Sequence, residues 1–276
     1  MILAPFVLFF APPQAPSADA GAIMARVAAN QDRAQKMRSA FIYHQDVLVR
    51  LNHTNGKLAQ EAHSEYTVTP GPNGVSRERT SFTGKYVEHG KVVEYHDPTE
   101  RREHVRIDID GSVVMGLADD MAKDESKDGI PRDMFPLTAR EQSKYEFRLE
   151  GTEDYRGTQV YRITFEPRKD VHEEDSIWAG EALIDVKECQ PVLVTTHQSF
   201  KMPVLVKTLL GTNLEHMGFK VAYKKFDEGL WFPVTYGGEL KVRAVFFYAR
   251  RIGISLRNSG FQRADVNSSI TYKTVE

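Results

Sequence analysis

The side chains able to do chemistry are scattered along this chain. Nine histidines are present, and His44, His53 and His63 fall on or near separate strands. No H-E-x-x-H pair accompanies them, and the lone cysteine gives no paired thiols for zinc. His172-Glu173-Glu174-Asp175 is an acidic run of the kind that usually forms a solvated loop. Asp108-x-Asp110-Gly111 opens like a calcium loop, but Asp119 stands where such a loop closes on a glutamate. Gly84-Lys85 lacks the earlier glycine of a phosphate-binding loop, and no G-x-S-x-G elbow occurs. Cys189 is predicted to sit half-exposed in a turn; a nucleophile there would need a base and a depressed pKa, which the sequence does not show. These residues assemble no catalytic constellation. A binding protein is expected rather than an enzyme, with no metal or cofactor; a hydrolase using an inserted lid is the least favoured reading.

The apolar side chains are better organised. Around Tyr161–Phe200 the sequence predicts three strands joined by polar turns, an antiparallel meander. Tyr161, Ile163 and Phe165 share one face of the first strand, and Trp178, Gly180, Ala182, Ile184 and Val186 share one face of the second. Arg162, Thr164, Glu181 and Asp185 occupy the other faces. Trp178 and Trp231 lie at strand starts, where each is either packed core or the rim of a cavity. A further strand, Phe41–Leu51, leads through the Asn55-Gly56 turn to Leu58–Thr69, and the meander continues over Arg77–Thr83 and Lys85–His96, broken at Gly90-Lys91. Later strands are predicted at Ser143–Leu149, Thr158–Glu166, Phe219–Phe226 and Leu230–Tyr236. The longest is placed at Glu239–Arg251, and shorter ones at Gly253–Leu256 and Ser268–Thr274. The longest strand sets Leu240, Val242, Ala244, Phe246 and Tyr248 in one row, either core or the wall of a ligand site.

One amphipathic helix is predicted over Gly21–Ser39, with Ile23, Val27, Ala34, Met37 and Phe41 near its apolar stripe and Arg26, Gln31, Arg33 and Lys36 away from it. Asp97–Glu141 is charge-rich and carries two prolines near Phe135; it reads as an inserted helical lobe or lid, with a helix over Ser112–Lys127. Met202–Met217 reads as an apolar loop or short helix, expected to act as a mobile flap at a cavity rim. Together these make a mainly β (α+β) chain.

The chain has 276 residues, 41% hydrophobic and 10% aromatic, enough for a substantial core. Its 36 basic and 38 acidic residues leave a net charge of -2, which argues against a nucleic-acid partner. One cysteine excludes an intrachain disulfide. Met1–Phe10 is apolar, and Ala18-Asp19-Ala20 follows a run of small residues; this resembles an export signal without a basic start, with cleavage expected after Ala20.

Phe165-Glu-Pro-Arg168, Ile177-Trp-x-Gly-x-x-x-Ile-Asp185, Pro191-Val192 and Asp227-Glu-Gly-Leu-Trp-Phe-Pro233, behind one N-terminal helix, resemble the outer-membrane lipoprotein-sorting family (LolA/LolB-like). The resemblance covers about Gly21 to the C-terminus, apart from an insert at about 97–141. It implies a curved antiparallel half-barrel with the helix in its mouth, in a single domain over 21–276 after a signal peptide over 1–20. It also implies a periplasmic carrier of lipid or lipoprotein acyl chains, expected as a monomer, with an envelope membrane protein as a further partner. The alternative is an envelope-stress regulator that binds a partner protein through the same fold. The implied lining comprises Phe41, Tyr43, Val47 and Val49; Tyr161, Ile163 and Phe165; Trp178 and Ile184; Phe219, Val221 and Tyr223; and Leu240, Val242, Phe246 and Tyr248. Arg50 and Arg77 are the candidates for the family's functional arginine.

Overall fold

The structure is a computed structural model that describes residues 19–71, 74–98, 110, 136–171, 178–198, 212–244 and 248–264. The export signal, the Ser112–Lys127 helix, the His172–Asp175 run and the Ser268–Thr274 strand lie outside these residues, apart from Asp19 and Ala20.

The N-terminal helix, α1, spans Ala20–Arg38. Asp19 caps it, its carboxylate accepting the Gly21 and Ala22 N–H groups at 3.2 and 3.3 Å, and Lys36 and Arg38 fill the last turn where cations are favoured. Cleavage after Ala20 would remove this cap. The buried face steps through Ala20, Ile23, Met24, Val27, Ala28, Gln31, Ala34 and Arg38, a seam with spacings of three and four. The predicted stripe is corrected in two places. Met37 is 37% exposed, and Gln31 lies inside the seam rather than away from it. A stripe traced only through apolar residues misses Gln31 and Arg38, the two polar members of the seam.

Among the described residues eleven strands follow, all paired antiparallel. They are β1 (Phe41–Asn52), β2 (Leu58–Gly71), β3 (Gly74–Glu88) and β4 (Lys91–Tyr95). After a short helix, α2 (Ala139–Gln142), come β5 (Tyr145–Tyr155), β6 (Thr158–Pro167), β7 (Trp178–Asp185), β8 (Pro191–Gln198), β9 (Thr212–Asp227), β10 (Leu230–Ala244) and β11 (Tyr248–Arg263). The order across the sheet is β4-β3-β2-β1-β11-β10-β9-β8-β7-β6-β5. Two meanders are thus joined where β1 pairs with β11, and β4 and β5 are the outermost strands among the described residues. The sheet is a curved half-barrel, not a closed one. Eight register shifts, spread over six of the strand pairings and three of them between β9 and β10, supply the local twist that bends a long sheet.

Several boundaries differ from expectation. β3 runs unbroken through Gly84, because Tyr95 of β4 lies over that position: a Cβ there would fall 2.0 Å from the Tyr95 ring. The turns at His89-Gly90 and Arg156-Gly157 have φ of 49° and 78°, and 53° and 83°, the paired positive values of tight hairpins. The predicted strand Glu239–Arg251 does not exist as one strand. β10 continues through Gly237-Gly238 to Ala244, and β11 begins at Tyr248, with Ala244 opposite Tyr248 and Val242 opposite Arg250. The two glycines are not a break. At Gly238 a Cβ would meet the Phe219 ring at 2.4 Å, where that ring stacks on Tyr236. The predicted flap is also partly strand: residues 212–217 open β9, with Leu214 paired to Val242, and residues 202–211 lie outside the described part.

Candidate functional site

The concave side of the sheet carries two large apolar clusters. The first joins Ile23, Met24 and Val27 of α1 to Ile163 and Phe165 of β6, Trp178, Ala182 and Ile184 of β7, Val194 of β8, Phe219, Val221 and Tyr223 of β9, and Trp231 of β10. Trp178 meets the Phe219 ring edge-on at 5.2 Å. Half of the predicted lining therefore lies under the helix, with Tyr161 packed at its margin.

A polar latch holds the helix there. Gln31 Nε2 donates to Gln190 Oε1 at 2.7 Å, and Gln190 Nε2 to the Gly229 carbonyl at 3.3 Å. Arg38 donates to the Trp231 carbonyl at 3.0 Å. Asn30 Nδ2 reaches the Glu188 and Cys189 carbonyls at 2.7 and 3.1 Å. Glu188 in turn accepts Trp231 Nε1 at 2.8 Å and the Gly229 N–H at 3.3 Å, and pairs with Lys225. The sequence motifs around Asp185–Pro191 and Asp227–Pro233 are thus the two turns that grip α1. Trp231 is core with a satisfied N–H, not a cavity rim. Cys189 is fully buried at φ 48° in the first of these turns. This corrects its half-exposed placement, and burial raises its thiol pKa, the opposite of what a nucleophile requires.

The latch gives a pH prediction. Burial opposes ionisation of Glu188, but Lys225, the Trp231 N–H and the Gly229 N–H together hold its carboxyl below the usual value. A depressed folded pKa means stability present above the unfolded value, near 4.3, and lost as pH falls through the folded one. Urea midpoints taken from pH 7 to pH 3 should show wild type more stable than Glu188→Gln at neutrality, with the gap closing in acid.

The second cluster lies across β11, β1, β2, β3 and β4. It contains Tyr43, Val47, Val49 and Leu51 of β1, Ala59, Ala62, Tyr66 and Val68 of β2, Phe82 of β3, Tyr95 of β4, and Ile252, Ile254 and Leu256 of β11, with Leu240 packed against it. No residue of α1 belongs to it. Of the predicted lining, Tyr43, Val47, Val49 and Leu240 fall here. Phe41 instead joins Leu230 and Phe232 in a small third cluster. Phe246 lies outside the described residues, and Val242 and Tyr248 are placed by register alone. Ile252, Ile254 and Leu256 were missed as lining, although their strict alternation with Gly253 and Ser255 is a clear period-two signal.

Arg250 and Arg77 lie on this side of the sheet. Arg250 shares the register side of Ile252 and clasps Asp110 through both carboxylate oxygens, at 2.9–3.2 Å. Asp110 therefore serves an ion pair with Arg250 of β11. Arg77, opposite Val68, donates to Gln45 Oε1 at 3.2 Å, and Gln45 donates to Asn258 Oδ1 at 3.2 Å. Arg50 points to the other side, paired with Glu61 at 2.5 Å. Of the two candidates, Arg77 alone shares a face with the second cluster. On the convex side Asp46, His63 and Glu65 bring their ligand atoms within 4.8 Å of one another. Asp46 also stands opposite Arg257 of β11. No helix among the described residues is long and apolar enough to cross a membrane.

No protein-family model and no curated protein match the chain. Solved structures similar to it include a domain from Vibrio parahaemolyticus named for outer membrane lipoprotein sorting, 11% identical, covering 88% of this chain and 93% of that one at a TM-score of 0.37. A DUF1329 family protein from Desulfovibrio piger is 12% identical over 91% and 95% of the two chains, at 0.36. A LolA superfamily protein from Nitrosomonas europaea is 11% identical over 91% and 96%, at 0.34. At these identities and TM-scores the likenesses carry no functional inference for this chain.

Proposed function

We propose that the chain is an exported, non-enzymatic carrier whose second concave cluster receives the acyl chain of a lipid or lipoprotein. The observation that supports this is the division of the concave face. The helix is latched over the first cluster, while an equally apolar surface five strands wide has no part of α1 in it. Burial of an acyl chain contributes about 0.8 kcal/mol per CH₂, so such a face binds without catalytic groups. Its side chains are buried in this structure, so uptake requires the face to open.

Protein recovered from an exporting host and extracted into organic solvent should yield acyl lipid near one per chain by mass spectrometry. The empty protein should then take up a fluorescent fatty acid. Recovery of a stoichiometric protein partner without lipid, and no probe uptake, would replace the carrier with a regulator.

A further inference from the structure

One polar group in the second cluster has no partner for half of its hydrogen-bonding capacity. Gln60 lies on β2 between Leu51 of β1 and Tyr86 of β3, and it is 0% exposed. Its Nε2 donates to the Tyr95 hydroxyl at 3.0 Å, while its Oε1 is buried with no donor in reach. The Tyr95 side is fixed: its ring covers Gly84 and lies 5.6 Å from Phe82 and 6.0 Å from Tyr86. Reversing the carboxamide would exchange which end is orphaned and remove neither. A buried unpaired amide end is unfavourable, and the other buried amides of this face, Gln45 and Asn258, are paired. Leucine would fill similar space without that cost.

From Gln60 the same face of β2 continues through Ala62, the small Ser64, Tyr66 and Val68. At about 3.3 Å per residue, the eight steps from Gln60 to Val68 give a largely apolar track of about 26 Å. A polar anchor at one end of such a track matches an extended chain with a polar group near one end. A hydroxyl both donates and accepts, so it satisfies the orphaned end in either orientation of the carboxamide.

We propose that Gln60 is the specificity-determining anchor of this face and selects acyl chains that carry a hydroxyl near the carboxyl end. The inference rests on the carrier reading above. Displacement of a fluorescent fatty acid by palmitate, 2-hydroxypalmitate and 3-hydroxypalmitate tests it on the whole protein. Wild type should prefer at least one hydroxylated chain by about tenfold, the value of one well-made hydrogen bond to an otherwise unpaired group. Gln60→Leu should bind palmitate as well as wild type does, lose the preference, and keep or raise its urea midpoint. Equal binding of all three chains by wild type would overturn the anchor and leave a buried water as the partner of Oε1, with the carrier intact. Preference that persists in Gln60→Leu would overturn it as well. If no chain displaces the probe, or the probe itself does not bind, the carrier reading fails first. Should Gln60→Leu not fold, the wild-type comparison still decides.

Discussion

Gly180→Ala is expected to lower the unfolding free energy by about 3 kcal/mol, the upper end of what overpacking a well-filled interior costs. Gly180 sits in β7 opposite Phe165 of β6 and Thr196 of β8. A Cβ there would lie 2.0 Å from the Thr195 carbonyl oxygen and 2.8 Å from the Phe165 ring. The first obstacle is backbone inside a paired ladder, which moves only by breaking its pairing with β8. The second is a ring in the cluster under α1. The glycine is needed for this close approach rather than for backbone freedom. Gly253→Ala is the control: it lies in β11 with nothing within 4 Å of its Cβ position. That change should be neutral or stabilise slightly, because alanine restricts the unfolded chain. Urea unfolding of both variants checks the pair; equal midpoints would mean that β7 and β8 separate easily.

Gly180 also shows what was legible in the sequence. The Trp-x-Gly-x-x-x-Ile-Asp pattern and the Asp-Glu-Gly-Leu-Trp-Phe-Pro turn are local, and both were readable as strand and turn positions. Their shared role was not, because gripping α1 depends on Gln31 and Arg38, polar residues on a helix face read by its apolar members. Hairpins with Asn-Gly or Asp-Glu-Gly turns were placed closely. The β10–β11 hairpin was missed because its connection, Val245-Phe246-Phe247, has no turn residue, while Gly237-Gly238 looks like one and serves instead to admit the Phe219 ring. The pairing of β1 with β11 leaves no local mark, since the strands are some two hundred residues apart in sequence. The division of the concave face follows from that pairing, so a single wall of lining residues was expected where two clusters exist.

The same substitution in each cluster should therefore have unequal effects. Ile163 and Val49 are both 0% exposed. Ile163 lies in the cluster that contains α1, and Val49 in the one that does not. Ile163→Glu places a carboxylate in the packed core beneath α1, away from water. It is expected to cost more than about 4 kcal/mol, and unfolding of the variant at room temperature is within that range. Val49→Glu meets a surface that must open to admit cargo. If it opens, the carboxylate reaches water at the cost of opening alone, about 2 kcal/mol when the open state is a minor population. The fold should survive, and uptake of a fluorescent fatty acid should fall by an order of magnitude or more, because the charge is desolvated each time a chain enters. Thermal midpoints and probe uptake measured on both variants separate the cases. Equal losses of stability would make the second cluster ordinary core. A stable Val49→Glu with undiminished uptake would place the acyl chain elsewhere on the molecule.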